Sequence, residues 1–255
     1  MGKFRILSID WDYFINATAD ERAFYFPDSG NEHLPEFLQN SIWASRYCQD
    51  GDQKLEDFKV DDEEVEHIRH IVYHQNPSFK ADVQESHALL YSFAKSLFEK
   101  SAEDTLEIVN IDFHHDVYDF YNEKVHCGNW LAHIITEYPD GEYHWIRKDD
   151  SDELLVEFKG SIKEHMGMIS FEELFNEDFD YVFVCKSGMW SPPHLDKEFI
   201  STFRRLPYIN ISYSKYSVFH DRMESVKVEA EAVKAQRQEL LKYMKEETED
   251  NPWNS

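Results

Sequence analysis

The chain has 255 residues, of which 42% are hydrophobic and 15% aromatic, so it can bury one large core and we do not expect it to be disordered. Its 26 Lys and Arg residues stand against 51 Asp and Glu residues, which gives a formal net charge of -25. Such a charge repels polyanions, so we expect no nucleic-acid partner and favour a cationic ligand.

Cysteine usage and the N-terminal sequence predict a cytoplasmic protein. Cys48, Cys127 and Cys185 are odd in number and too widely spaced for a disulfide framework or a zinc knuckle. The short apolar run before Asp10 is unlike the hydrophobic region of a signal peptide, and no later segment is apolar for long enough to span a bilayer. We therefore expect no membrane association, and an oligomer stays possible.

Three short apolar runs predict buried strands, at residues 4–9, 106–111 and 181–185. The first two runs are followed directly by a carboxylate, at Asp10 and Asp112. Helical patterns lie between the runs, at residues 63–73, 84–99 and 129–136. Because strands alternate with helices, we expect an α/β fold of three layers, with a mainly parallel sheet covered on both faces.

The remaining segments predict additions to this sheet within a single domain, residues 1–255. Residues 11–47 are crowded with aromatic side chains and predict an insertion over the sheet edge. Residues 143–146 and 154–158 have the pattern of an added hairpin. The stretch 222–247 carries one apolar stripe on a long charged helix, which we expect to pack on the sheet, with a partner helix as the alternative.

Residues 112–116, Asp-Phe-His-His-Asp, carry the strongest chemical signal. Along an extended strand, Asp112, His114 and Asp116 would project to one side. Two carboxylates and an imidazole at the end of an apolar strand are costly unless a cation or complete hydrogen bonding compensates them. Mixed oxygen and nitrogen ligands suit manganese, iron or zinc, so we expect a metal site; a hydrogen-bonded polar cluster is the alternative.

Asp10 and Asp12 repeat this arrangement after the first strand. If the two strands are parallel, all these carboxylates meet at the carboxyl edge of the sheet, where α/β proteins bind their ligands. Four carboxylates and a histidine need more positive charge than one divalent ion supplies. The sequence therefore favours a site for two divalent ions that share bridging carboxylates.

The Asp-x-His-x-Asp motif of residues 112–116 and the Ser-x-Asp-x-Asp motif of residues 8–12 resemble the metal-binding signatures of the arginase and agmatinase ureohydrolases. That family has a further histidine ligand upstream, and His87 stands at a matching distance before residue 112. His126, in a Gly-Asn-containing loop, matches an arginase histidine that is thought to shuttle protons. The resemblance implies an arginase-like fold and two Mn²⁺ ions.

The resemblance also implies six metal ligands: two carboxylates that bridge the ions, and two further residues on each ion. The bridging pair is Asp10 and Asp112, the first ion adds His87 and Asp116, and the second ion adds His114 and Asp12. A water activated by the metals would attack a guanidinium carbon, and His126 would pass a proton to the departing amine, giving urea and an ornithine side chain. Asn129 and Glu85 are the candidate substrate-binding residues.

The order of the motifs differs from that in ordinary arginases, where the Ser-x-Asp-x-Asp strand follows the Asp-x-His-x-Asp strand. This order predicts a circularly permuted arginase-like fold or a divergent branch of the family. The layout of residues 8–130 most resembles the branch that contains the peptide arginases, which convert arginine in ribosomally made precursor peptides to ornithine. That resemblance implies an arginine-containing peptide as substrate, for which the aromatic residues of 11–47 offer a surface.

Three other functions fit parts of the pattern. A deacetylase-like amidohydrolase on a related fold would hold one zinc by two Asp and one His. A phosphatase of the haloacid dehalogenase kind would use Asp10 and Asp12, although Tyr13 and Phe14 replace the small residues expected there and the acidic surface disfavours phosphates. A non-catalytic, metal-stabilised peptide-binding protein, such as a leader-peptide recogniser, is the remaining alternative.

Residues 187–194 follow a buried strand and allow another interpretation. Ser187 or Ser191 with His194 would be a conceivable nucleophile and base. The Gly-x-Ser-x-Gly elbow of serine hydrolases is not found, so we expect a loop that lines the pocket. Cys185, at the end of the strand, is expected to be a small buried hydrophobe.

Overall fold

The computed structural model describes residues 2–27, 34–48, 55–74, 79–118, 124–151, 166–175, 177–206 and 218–249. Its strands are β1 (Lys3–Asp10), β2 (Lys80–Gln84), β3 (Thr105–Ile111), β4 (Glu142–Ile146), β5 (Met166–Met168) and β6 (Tyr181–Cys185). They form one six-stranded sheet in the order β2-β6-β1-β3-β4-β5. All neighbouring pairs are parallel, which confirms the predicted α/β class and parallel sheet.

Helices cover both faces of the sheet and give the three predicted layers. They are α1 (Ala19–Tyr25), α2 (Glu36–Tyr47), α3 (Asp62–Tyr73), α4 (Ala88–Phe98), α5 (Trp130–Glu137), α6 (Asp196–Phe203) and α7 (Met223–Glu249). One face packs against α3 and α6, where Ile68 and Phe199 are buried. The other face packs against α4 and α5, where Leu90 and Trp130 are buried. Among the described helices, none has the length and apolar character needed to cross a membrane.

The inner strands are the ones that the sequence predicts. β1, β3 and β6 each have a neighbour on both sides and a helical layer on both faces, so most of their residues are buried and apolar. β2 and β5 lie at the two edges of the sheet. β2 has no apolar run, and its alternation is confined to two apolar residues, Ala81 and Val83, which is too short a pattern to predict a strand.

The predicted hairpin at residues 143–146 is wrong. The segment does form a strand, β4, but it pairs in parallel with β3 on one side and β5 on the other. A parallel neighbour requires a long crossover, so β4 extends the main sheet. The second half of the predicted hairpin, residues 154–158, lies outside the described residues.

Residues 11–47 supply core side chains, as well as covering one end of the sheet. Five aromatic side chains of this segment are buried: Trp11, Tyr13, Phe14, Phe26 and Trp43. Helix α1 begins with a reciprocal capping box between Thr18 and Glu21. The buried aromatic residues cannot serve as a surface for a peptide, whereas Phe24 is 61% exposed.

The C-terminal helix α7 follows its predicted bounds but has a different packing partner. Its first half packs against α2 and not on the sheet, with Val226 and Ala230 buried beside Trp43 and Ala44. Both faces of the sheet are already covered by other helices, so α2 offers the available apolar surface. Farther along α7, side chains such as Leu240 are exposed.

Candidate metal centre

The carboxyl ends of β1, β3 and β6 bring the candidate ligands to one edge of the sheet. Asp10, the last residue of β1, pairs with Cys185 of β6. Asp112 directly follows the β3 residue that pairs with Ile9, so the two aspartates lie side by side. His87 follows β2, on the far side of β6.

The chain turns in the same way after β1 and after β3. Asp10 Oδ1 accepts a hydrogen bond from Asp12 N at 3.1 Å, and Asp112 Oδ1 accepts one from His114 N at 2.8 Å. Asp10 and Asp112 thereby each stabilise a turn, and the turn directs the side chain two residues later toward the same site. The extended alternation expected for residues 112–116 is wrong, because β3 has already ended and the side chains converge through this turn.

Asp116 has a backbone conformation that non-glycine residues seldom adopt. Its φ is 54°, and such left-handed residues cost about 1 to 3 kcal/mol and occur where the surroundings over-determine them. The conformation brings Asp116 Oδ2 to 3.3 Å from His87 Nδ1. Trp130 Nε1 donates a hydrogen bond to the same oxygen. The strain therefore serves to place a carboxylate in this cluster.

The His87 ring points one nitrogen at three carboxylates. The distances from His87 Nδ1 to the Oδ2 atoms are 3.1 Å for Asp10, 3.4 Å for Asp112 and 3.3 Å for Asp116. The other ring nitrogen, Nε2, lies 2.7 Å from Ser8 Oγ, which fixes the orientation of the ring. Neighbouring ligands of one divalent ion, each at ~2.0 to 2.6 Å from it, lie about 3 to 4 Å apart. The ligand atoms of His87, Asp112 and Asp116 all lie within 4.8 Å of one another and therefore have the spacing of a shared coordination sphere, which Asp10 adjoins through His87.

A second group adjoins the first through Asp112. His114 Nδ1 lies 3.3 Å from Asp12 Oδ2 and 3.8 Å from Asp112 Oδ1. Asp112 thus directs one oxygen toward His114 and the other toward His87, which is the arrangement of a carboxylate that bridges two ions. Asp10 directs Oδ2 toward His87, whereas its Oδ1 accepts from the backbone of Asp12.

Asp12 provides the test of whether a cation fits this site. Its side chain is 0% exposed, and within the described part of the chain neither carboxylate oxygen has a hydrogen-bond partner. An unsatisfied carboxylate in the interior is costly. A divalent ion between Asp12, His114 and Asp112 would satisfy it, and oxygen and nitrogen atoms are suitable donors. The residues therefore fit a metal ion.

Arg22 of α1 lies on the other side of Asp12. Its Nη1 atom is 3.5 Å from Asp12 Oδ2, and the side chain is 3% exposed. The rest of the guanidinium donates to the backbone oxygens of Asp12, Ile15 and Ala17, and it stacks on the Phe113 ring at 3.9 Å. The hydrogen bonds of Arg22 therefore hold the backbone segment that contains Asp12 in place, and its guanidinium adds one positive charge to the site.

The charges of the site's own residues favour bound cations. Metal-bound histidines must be neutral, so the four aspartates and Arg22 leave three negative charges in a buried space. One divalent ion leaves this space with one negative charge, and two divalent ions leave it with one positive charge. The case for two ions therefore rests on the two groups of candidate ligands that Asp112 joins. The position of Arg22 in this site was not predicted from the sequence.

Without metal, the acidic groups perturb one another strongly. Burial and the charges of Asp12 and Asp112 raise the pKa of Asp10 to about 7. Burial and the charge of Asp112 raise the pKa of Asp116 well above its ordinary value. Burial lowers the pKa of His87, but the hydrogen bonds to Asp10 and Asp112 outweigh it, so this pKa is well above its ordinary value. The cluster therefore retains protons that a metal would displace.

Several side chains that contact the candidate ligands were not predicted from the sequence to have that role. Ser187 Oγ donates to Asp10 Oδ2 at 2.6 Å, from a residue whose φ is 50°. Asn110 Nδ2 donates to Asp112 Oδ2 at 3.3 Å. Trp190 lies with its ring 4.8 Å from that of His114. Such partners orient metal ligands, but single serines or tryptophans are too common in sequences to be recognised as such.

His126 and Asn129 lie in the loop before α5. Asn129 is buried, and its amide accepts from His126 N at 2.8 Å and donates to Lys124 O at 3.2 Å, so it holds the loop together. His126 Nδ1 accepts a hydrogen bond from Gly128 N at 3.2 Å. The structure thus places His126 beside α5 and outside the two groups of candidate ligands.

Glu85 belongs to a separate buried cluster of charges. Burial raises the pKa of Glu85, and Lys186 and Arg222 partly offset this effect. Arg222 also forms a two-pronged ion pair with Asp196, at 2.7 and 2.8 Å. The structure therefore places Glu85 next to a guanidinium of its own chain, whereas the sequence analysis proposed it as a contact for a substrate guanidinium.

Residues 187–194 line the site and do not form a nucleophile with its base. Ser191 Oγ donates to Lys186 O at 2.9 Å. His194 instead contacts Tyr47 Oη at 2.6 Å and Phe58 O at 2.9 Å. The expectation of a lining loop therefore agrees with the structure.

Comparison of the chain with family models, curated proteins and solved structures finds no match. The arginase-like relationship and the circular permutation therefore remain predictions.

Proposed function

We propose that the protein is a binuclear manganese hydrolase that converts arginine side chains, held in a precursor peptide, to ornithine and urea. The observation behind the proposal is the geometry of Asp112. One of its carboxylate oxygens faces His87 and the other faces His114, so it lies between two histidine-containing groups. Together these groups contain the six ligands that the arginase resemblance implies. Manganese accepts this mixture of carboxylate and imidazole ligands.

Residues of this chain would hold the metal ions and supply the proton for the reaction. Bound divalent ions would lower the pKa of a water and so supply hydroxide at neutral pH. Asp10, Asp112 and Asp116 are buried and hold the negative charge that retains the ions. His126, on the loop before α5, is the proposed proton donor to the departing amine.

Two acidic clefts support a cationic peptide as substrate, and neither is lined by a candidate metal ligand. One has a volume of about 570 Å³ and lies at the ends of β4 and β5. The other, of about 470 Å³, adjoins residues 15–18. They share Glu64 and Asp149, and acidic residues outnumber basic ones in both linings. Such clefts would attract a basic chain to this surface of the protein.

A single-zinc, deacetylase-like site is the second candidate. Asp12, Asp112 and His114 form a group of two aspartates and one histidine, with ligand atoms all within 4.8 Å of one another. This group would suffice for one zinc ion. A single zinc ion at this group would not explain why Asp10 and Asp116 both lie close to His87. We prefer the binuclear proposal for this reason.

The reaction is proposed to take place in the cytoplasm. Cys48, Cys127 and Cys185 are all among the described residues, and none of them forms a disulfide. Reduced cysteines are the usual state in that compartment.

Metal analysis and a urea assay test the proposal together. Protein purified with manganese should contain two ions per chain and release urea from arginine-containing peptides faster than from free arginine at matched guanidinium concentration. One zinc per chain with deacetylation and no urea would support the second candidate. Equal or faster release from free arginine would refute the peptide substrate, and bound metal without urea from any substrate would support a peptide-binding protein.

A further inference from the structure

Cys185 belongs to a third group of possible metal ligands, which shares His87 with the group formed by His87, Asp112 and Asp116. The ligand atoms of Asp10, His87 and Cys185 all lie within 4.8 Å of one another. The topology explains this approach, because β6 lies between β1, which ends in Asp10, and β2, which leads to His87. Cys185 is the last residue of β6 and pairs with Asp10 in the parallel ladder.

The side chain of Cys185 is held on the same face of the sheet as the His87 ring. Phe183, two residues earlier on β6, stacks on this ring with 12° between the planes. Residues two apart on a strand project to one side, so Cys185 lies beyond Phe183 in the direction of the carboxylates. Cys185 is 0% exposed, and its Sγ lies 3.2 Å from Ser187 Oγ, the hydroxyl that donates to Asp10.

These contacts give the centre a donor that a purely oxygen and nitrogen site lacks. Hard ions such as manganese prefer carboxylates, whereas thiolate sulfur selects softer ions such as zinc. Zinc also favours four ligands in a tetrahedral arrangement. Asp10, His87 and Cys185 approach one another from three separate strand ends, so they can supply three of these ligands without the second metal group.

We propose that Cys185 Sγ is a metal ligand for thiophilic divalent cations, such as zinc and cobalt, at the position faced by Asp10 and His87. The metal–sulfur bond forms as the thiol proton leaves to the buffer. Manganese at the same position uses the carboxylates and leaves the thiol protonated. The inference rests on the proposed metal centre and adds to it a cysteine-dependent selectivity between metals.

Cobalt provides a direct test, because a thiolate bound to Co²⁺ gives a charge-transfer absorption in the near ultraviolet. Full-length protein freed of metal and loaded with Co²⁺ should show this band. Cys185→Ser and Cys185→Ala should lose the band while retaining cobalt, and Cys48→Ser and Cys127→Ser should keep it. Bound cobalt without the band in the wild-type protein overturns the inference, and so does a band that survives both Cys185 variants.

Metal affinities give a second measurement that requires no enzymatic activity. Cys185→Ser should weaken zinc binding by about tenfold or more, as loss of a ligand does, while manganese affinity changes little. Equal losses for both metals would overturn the inference, because they would indicate a general disturbance of the site. If neither cobalt nor manganese binds the wild-type chain, the proposed metal centre itself fails; metal binding without the sulfur signature refutes only the role of Cys185.

Discussion

His87 Nδ1 lies 3.1 Å from Asp10 Oδ2, although β6 separates the two strands that lead to these residues. The ring of His87 spans β6 by stacking on Phe183 and anchoring Nε2 at Ser8. One histidine thereby joins strand ends that are not neighbours in the sheet. The contact is the basis for expecting that ligands from both sides of β6 act as one centre.

Asp116→Asn should lower the metal content and abolish hydrolysis. The substitution removes a negative charge from the oxygen that lies 3.3 Å from His87 Nδ1, while the amide retains the size of the side chain. Elemental analysis and the urea assay give the two readouts. Asp140→Asn, at an exposed turn, is the matched control and should change neither. Normal metal occupancy with normal activity in Asp116→Asn would remove Asp116 from the ligand set.

Arg22→Gln should destabilise the metal-free protein. The variant leaves the buried Asp12 carboxylate without its cation and the backbone oxygens of Ile15 and Ala17 without their donor, so we expect a loss of about 3 kcal/mol in the free energy of unfolding without metal. Urea unfolding of chelator-treated protein measures this loss. Arg69→Gln, on the surface of α3, is the control. Unchanged stability would show that the contacts of Arg22 do not stabilise the fold.

The metal-free protein should lose stability as the pH rises from about 4 to about 7. Asp10 keeps its proton up to a pKa of about 7 in the folded state, against an ordinary value of 3.8, so its stabilising contribution disappears as the pH rises through this interval. The pKa of His87 is also raised above its ordinary value of 6.5, so the free energy of unfolding falls further as the pH rises above that value. Asp112, whose pKa is lowered, is ionised throughout this range and adds no slope.

Urea unfolding of chelator-treated protein at several pH values measures this loss. Manganese should have the opposite dependence, because its ligands must be deprotonated, and the stabilisation that it adds should grow with pH. Asp10→Asn should reduce the slope of the metal-free protein. A free energy of unfolding that rises over the same interval would contradict the assigned pKa directions.

His126→Ala should retain both metals while turnover falls by about 10²-fold or more, as expected for a proton donor. The residue lies on the loop before α5 and outside both ligand groups. His133→Ala, which removes the neighbouring imidazole on α5, is the matched control for a general disturbance of this region. Loss of metal in His126→Ala would make the residue a ligand, and unchanged turnover would exclude it from catalysis.

Local patterns in the sequence were sufficient for the inner strands and for most of the candidate ligands. Continuous apolar runs marked β1, β3 and β6, because strands covered on both faces need apolar residues at every position. The carboxylates that follow two of these runs stood out, since acidic groups next to a core are costly without a partner. Edge strand β2 gave no such signal, because its pattern is mixed.

The sequence by itself determined the class of the fold and the chemical types of the candidate ligands, which depend on composition and on short periodic patterns. Tertiary structure alone decided that β6 lies between β1 and β2, and therefore that Cys185 reaches Asp10 and His87. It also decided that Arg22 is buried beside Asp12. Strand order and the burial of a distant arginine arise from packing between segments far apart in the chain, for which no local pattern carries information.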